Sequence, residues 1–261
     1  MSPAERAILD RVLRHARAAA FAPAEFVGQE SFVSASEVLS LARVAGVGPG
    51  VSVLDLCCGT AGPGRFITRE LGCTYVGVDS SRGAIARARQ RCADEGLGCR
   101  FRVGRVPPVP VGPFDVILLL ETLLAFRDKE PLLRAVASAL GDGGRFALTV
   151  EEGRPLTPAE RDLMPRSDTV WLTPLPELVS ALERVGLRVL WHEECSQGHL
   201  ATVDALIGAY AGAAREITAG PGRRAVDEIL TSHRLWSRWL GGDRVRKFAL
   251  VAEKTASARR P

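Results

Sequence analysis

Residues able to do chemistry gather at five places along the chain. The first is the turn Cys57-Cys58-Gly59-Thr60-Ala61-Gly62, entered from an apolar run, Val51-Ser52-Val53-Leu54, and an acidic residue, Asp55. Glycine takes positive φ and has no Cβ, so Gly59, Gly62 and Gly64 let backbone N–H groups approach a ligand where the segment Arg65 to Leu71 begins. The second is Asp79, which ends the run Thr74-Tyr75-Val76-Gly77-Val78. One carboxylate there can accept hydrogen bonds from both hydroxyls of a ribose diol. Ser80 or Ser81 suits the N-cap of the helix that follows, which leaves Asp79 without a capping job. The third, fourth and fifth are Glu121 behind Phe114 to Leu120, Glu151-Glu152 behind Arg145 to Val150, and His199 with His233 near the end. Activating a hydroxyl or a carbon needs a base within hydrogen-bond reach, and Glu121, Glu151, Glu152, His199 and His233 are able to serve. Of these, Glu121 and His199 are assigned the catalytic role.

Which ligand the turn holds is decided by spacing. A dinucleotide fingerprint runs G-x-G-x-x-G, whereas here the order is Gly59-x-x-Gly62-x-Gly64, and Asp55 would repel a pyrophosphate. The run resembles instead motif I of the class I S-adenosylmethionine-dependent methyltransferases, V-L-D-L-G-C-G-T-G, at Val53, Leu54, Asp55, Leu56, Cys58, Gly59 and Thr60. Cys57 and Ala61 stand where that motif has glycines; both are small enough to keep the turn, and each narrows its φ choices. The resemblance implies a Rossmann-like three-layer α/β/α sandwich with a seven-stranded, mostly parallel sheet. It also implies that S-adenosyl-L-methionine is held by Asp55, Cys57, Gly59, Thr60, Gly62, Asp79, Ser80, Arg105, Val106 and Glu121. Family members often carry an acidic residue near position 105, facing the adenine amino group. Arg105 departs from that, so adenine contacts are expected from backbone or neighbouring apolar atoms.

Behind Leu120 there is no D/N-P-P-Y turn and no Pro-Cys turn, and Glu121 has no close acidic partner until Glu130. Enzymes resembling this family that modify bases, glutamine amides or protein arginines carry such features, so a small-molecule acceptor remains. Phe26, Gln29, Trp171 and Trp236 are the residues expected in its pocket. Two alternatives stay open: a relative that holds the donor yet catalyses a non-methylating cyclisation or decarboxylation, and a non-catalytic scaffold.

The elements that must position these residues follow from periodicity. Residues 2–20 place Ile8, Leu9, Val12, Leu13 and Ala16 on one helical face, and a second helix is expected from Ser31 onward, ending near Gly46 to Gly50. Together, residues 1–50 form a helical cover. From Val51 to Lys254 strand and helix signals alternate, the pattern of a parallel sheet with helices on both faces. Strands are expected at Val51–Leu54, Thr74–Val78, Arg100–Val103, Phe114–Leu120, Arg145–Val150, Leu187–Trp191 and Val245–Ala252, and helices at Gly83–Asp94, Lys129–Leu140 and Leu175–Val185. The segment Pro155 to Pro174 reads as an active-site flap. An insertion over about 193–242 precedes the last strand, with helical patterns over His199–Thr218 and Arg223–Leu240 separated by Gly220-Pro221-Gly222. Such a pair is either a lid over the acceptor or a dimerisation surface, and the sequence leaves the two open. A tail, 255–261, is expected to be flexible.

Composition bounds the rest. Hydrophobic content of 46% and charged content of 25% over 261 residues are ordinary for a globular chain. A net charge of +4 is mild, and acidic residues intersperse the Arg clusters, so nucleic acid is not an expected partner. The six cysteines form no C-x-x-C pair and no zinc spacing, so no metal is expected. No apolar run reaches the ~18 residues that span a bilayer. The expectation is a cytoplasmic protein with a small-molecule substrate and no membrane partner.

Overall fold

Alternation along the first strand sets the layers. The computed structural model describes residues 3–165, 168–214 and 220–255. The expected tail beyond residue 255, the 215–218 end of the first insertion helix, and positions 166–167 of the flap lie outside the described residues. In β1 (Ser52–Leu56), Leu54 and Leu56 face one side of the sheet and Val53 the other. On the first side they meet Leu132, Leu133 and Val136 of α5 (Glu130–Ala139) and Leu178 and Leu182 of α7 (Leu175–Arg184). On the second lie Val38 and Leu41 of α2 (Ala35–Val44), Ile67 of α3 (Gly62–Leu71) and Ile85 of α4 (Arg82–Asp94). Burial of apolar side chains on both faces is what a parallel sheet requires.

The remaining strands are β2 (Thr74–Asp79), β3 (Arg100–Val103), β4 (Phe114–Leu119), β5 (Leu140–Glu152), β6 (Leu187–Glu194) and β7 (Arg246–Lys254). Their order is β3-β2-β1-β4-β5-β7-β6, parallel except for β7, which runs antiparallel to both β5 and β6. The fold is therefore the expected Rossmann-like sandwich with a seven-stranded sheet. All carboxyl ends of the parallel strands reach one rim, where open α/β sheets bind ligands.

Several boundaries differ from the sequence expectation. The second helix begins at Ala35, not Ser31, because Ser34 and Glu37 form a reciprocal capping box there. β5 takes up Leu140, expected as the end of a helix, and Gly141-Asp142-Gly143-Gly144, expected as the turn after it, and β6 runs on to Glu194 because β7 pairs with it that far. The first insertion helix, α8 (Ser196–Ala213), starts three residues earlier than expected, and α9 (Gly220–Gly241) absorbs the Gly-Pro-Gly separator as its first turn. The flap contains a short helix, α6 (Pro158–Asp162), opened by a second capping box between Thr157 and Glu160.

The insertion packs as part of the body. Leu9 and Ala16 of α1 (Pro3–Ala20) join Leu206, Tyr210 and Ala213 of α8 and Val226 and Leu230 of α9 in one apolar cluster. A second cluster ties Leu156, Met164, Val170 and Leu172 of the flap to Val203, Leu235, Trp236 and Trp239. No helix among the described residues is long and apolar enough to cross a membrane.

Candidate active site

At the carboxyl rim, a cavity of about 570 Å³ opens between the strand ends, the 28–32 loop, the flap and α8–α9. Asp55, Cys57, Gly59, Thr60, Gly62 and Asp79 line one end of it, and Glu121, Glu151, His199 and Trp236 line the other.

The glycine turn is shaped by close approaches. A Cβ on Gly62 would stand 2.5 Å from the carbonyl carbon of Gly28, so only glycine lets the 28–29 loop lie against the start of α3. Cys57 and Ala61, the two residues in place of motif glycines, adopt left-handed φ of 59° and 55°. The turn therefore keeps the glycine conformation at the expense of backbone strain. Asp55 is buried and accepts a hydrogen bond from the Tyr75 hydroxyl at 2.6 Å. Burial pushes its carboxyl up to about 7, against the opposing effect of that hydrogen bond. Asp79 does have a structural task, contrary to the sequence expectation: its two oxygens accept from Gly59 N at 2.9 Å and Ser81 N at 2.8 Å, joining the turn to the start of α4. Ser81 is the N-cap.

At the other end stands a buried polar cluster. Lys247 lies opposite Glu151 in the β5–β7 register and is fully buried. Its ammonium forms an ion pair with Glu121 Oε1 and contacts His199 Nδ1 at 2.8 Å. Burial lowers Lys247 to about 7, against the opposing charge of Glu37. Glu121 sits at a strained φ of 51°, with its N–H donating to Thr149 Oγ1 at 2.8 Å and its Oε2 accepting from Phe32 N at 2.6 Å. Burial lowers His199 to about 3, so the ring is neutral, and Nε2 is buried without a hydrogen-bond partner. Glu151 is buried, its carboxyl pushed up to about 7 by desolvation, and its Oε2 likewise lacks a partner. One ligating atom from each of Glu121, Glu151 and His199 lies within 4.8 Å of the others, but the cation seated among them is the Lys247 ammonium.

The sequence-selected residues divide accordingly. Gln29 lines the cavity while spending its amide on Val27 N, Glu25 O and Val33 O, so it holds the loop. Trp236 lines the cavity and packs edge-on against Trp239. Phe26 instead packs on Phe21 and faces a separate cavity of about 420 Å³. Trp171 is displaced from the expected pocket because the guanidiniums of Arg127 and Arg161 clasp its ring, at 5.0 and 4.2 Å from its centroid. Ser80 and Arg105 are exposed, and Val106 packs on the core; none of the three lines the cavity. Glu152 is taken up by Arg246 and Leu175 N, and His233 by Ile229 O. Lys247 was missed by sequence reasoning. Its signal was a lysine in register with the apolar Ala249 and Val251 of the same strand face.

Residues 53–144 match the family model of a methyltransferase domain. Methyltransferase GfsG of Streptomyces halstedii is 33% identical over 106 residues, 39% of this chain and 38% of that protein. Ajmaline N-methyltransferase of Rauvolfia serpentina is 26% identical over 153 residues, 53% of each. The chain thus spans about half or less of the length of these relatives. Among solved structures, the cyclopropane synthase MmaA2 from Mycobacterium tuberculosis superposes with a TM-score of 0.78 at 13% identity, over 94% of this chain and 93% of that one. The (4+2)-cyclase SpnF superposes with a TM-score of 0.76 at 17% identity, over 96% and 93%.

Proposed function

We propose that this chain, whose residues 53–144 match a methyltransferase domain, is a class I S-adenosylmethionine-dependent methyltransferase that transfers a methyl group from S-adenosyl-L-methionine to a small-molecule acceptor. The observation that carries the reading is a single cavity with two chemically distinct ends. Two carboxylates, Asp55 and Asp79, and a glycine turn stand at one, and a buried polar cluster stands at the other. About 570 Å³ falls within the usual range of small-molecule sites.

The residues present fit this donor. Asp79 offers carboxylate oxygens to a ribose diol. Gly59 leaves room for backbone approach, Gly62 lets the 28–29 loop close against the start of α3, and Asp55 places a second carboxyl beside the turn. Bound there, the donor supplies an activated methyl carbon on a sulfonium. The chain supplies alignment and exclusion of water. Gln29 and Phe32 close one wall, while α8 and α9 serve as the lid over the acceptor end. Similarities to N-, O- and C-methyltransferases by name support a small organic acceptor rather than a macromolecule.

The test is release of S-adenosylhomocysteine. Incubated with S-adenosylmethionine and a panel of small amines, alcohols and phenols, the protein should release it in proportion to methylated acceptor. Donor binding without any release across the panel contradicts methyl transfer and leaves a donor-holding relative.

A further inference from the structure

Three buried atoms at the acceptor end have no hydrogen-bond partner, Glu121 Oε1, Glu151 Oε2 and His199 Nε2; the first is ion-paired with Lys247, and the other two are unsatisfied in complementary ways. Paired with Glu121 Oε1, Lys247 is held as an ammonium with only N–H donors, so the 2.8 Å contact makes His199 Nδ1 the acceptor and places the ring proton on Nε2. His199 Nε2–H is thus a buried donor without an acceptor, and Glu151 Oε2 is a buried acceptor without a donor. The two side chains are 1% and 6% exposed and stand in the wall of one cavity. Leaving such groups unpaired costs about 1–3 kcal/mol each, so the site is built for something that pairs them. The other basic candidates are engaged: Glu121 with Lys247 and Phe32 N, Glu152 with Arg246.

We propose, building on the methyltransferase reading, that the acceptor atom is a hydroxyl oxygen seated between His199 and Glu151, and that Glu151 is its general base. Lone pairs decide between oxygen and nitrogen. A hydroxyl gives its proton to Glu151, accepts from His199 Nε2–H with one lone pair, and keeps the other for attack. A neutral amine that accepts from His199 has no lone pair left to react. In the step itself, the hydroxyl oxygen forms a bond to the donor methyl carbon as the carbon–sulfur bond breaks. The hydroxyl proton passes to the Glu151 carboxylate, and the sulfur leaves as a neutral thioether. His199 donates throughout and does not change charge.

The pH behaviour follows from the neighbours. Glu151 faces His199 on α8, Lys247 on β7 and Glu121 behind β4, with Cys195 before α8, Glu37 of α2 electrostatically linked to Lys247 and Cys195, and Asp168 of the flap further round the wall. Cys195 is pushed up to about 12 and stays a thiol. Glu151 is a base only when ionised, so the rate with a hydroxyl acceptor rises with pH through about 7. Asp55 and Lys247 titrate in the same range, so the limb must be assigned by substitution.

The test compares wild type with Glu151→Gln on matched pairs, phenol with aniline, catechol with o-phenylenediamine, and benzyl alcohol with benzylamine, using S-adenosylmethionine labelled in its methyl group. Hydroxyl members should be the ones methylated. Glu151→Gln should lower their kcat/KM by about 10²–10³-fold and abolish the limb near pH 7, while S-adenosylhomocysteine affinity, read by calorimetry, stays within threefold of wild type. Infrared titration supplies a readout free of turnover. Two protonated carboxyl bands should titrate near pH 7, one of them absent in Glu151→Gln, and phenol added to the S-adenosylhomocysteine-loaded protein should shift that band while aniline does not. Preference for the amine members, an unchanged limb in Glu151→Gln, or a band indifferent to phenol overturns the proposal. Failure of wild type to bind S-adenosylhomocysteine instead overturns the methyltransferase reading beneath it.

Discussion

Four of the buried titrating residues pull the stability of this protein in opposite directions between about pH 3 and 7. Asp55 and Glu151 hold their protons up to about 7 in the fold, above their usual carboxyl range. Their stabilising contribution is present at low pH and is lost as pH rises towards 7. His199 and His233 refuse protons until about 3 and about 4. Their contribution is present above the ordinary histidine value and lost as pH falls. Between pH ~5 and ~6 the folded state holds two protons on carboxyls while the unfolded chain holds two on imidazoles, so the slopes cancel. Wild-type unfolding free energy from urea titrations should be nearly flat there. Asp55→Asn removes one carboxyl term, and its stability should rise by about 1.4 kcal/mol per pH unit over the same window. A flat Asp55→Asn profile contradicts the assignment. Glu121 and His199 are singled out for catalysis by their types and places in the sequence, whereas the structure pairs Glu121 and His199 Nδ1 with Lys247 and leaves Glu151 Oε2 unsatisfied. Residue types show which groups can act, and only packing shows which are already spent.

Among elements, the contact between α3 and β2 fixes the donor end. Gly64 lies where a Cβ would come within 2.2 Å of the Tyr75 ring, and the Tyr75 hydroxyl in turn holds Asp55. Gly64→Ala must therefore push α3 off β2, at a cost of about 2–3 kcal/mol, with weaker S-adenosylhomocysteine binding; thermal unfolding at unchanged stability would contradict it. The strand–turn–helix order from β1 to β5 was legible because each element carries its own signal: β-branched runs, the Gly59 to Gly64 turn, and a carboxylate at a strand end. What was illegible depends on partners distant in sequence. The 13 residues of β5 include Gly141 to Gly144, which carry no strand signal of their own; they bulge between Leu140 and Arg145, the flanking residues that pair with Phe114 and Val116 of β4. Lys247 carried no functional meaning until β7 placed it opposite Glu151 and beneath α8. Trp171 read as a pocket aromatic because no local pattern shows Arg127 and Arg161 closing on it.

For the whole molecule, the cavity depends on a cover assembled from both ends of the chain. Arg17 of α1 donates to the Tyr210 hydroxyl of α8 at 2.9 Å and to Ser31 O at 3.2 Å, and it also bonds Glu30 O. One side chain thus ties the N-terminal helix, the insertion and the cavity-lining loop. Arg17→Ala should leave the sheet intact by circular dichroism yet raise the Kd for S-adenosylhomocysteine roughly fivefold, since the loop must then be ordered on binding; an unchanged Kd contradicts a shared cover. The most direct measurement of the central claim is calorimetric titration of S-adenosylhomocysteine into wild type and Asp79→Asn. The account predicts one site per chain in wild type and roughly ten- to hundredfold weaker binding when the charge-assisted hydrogen bonds at Asp79 are lost. No binding by wild type, or equal binding by Asp79→Asn, would contradict it.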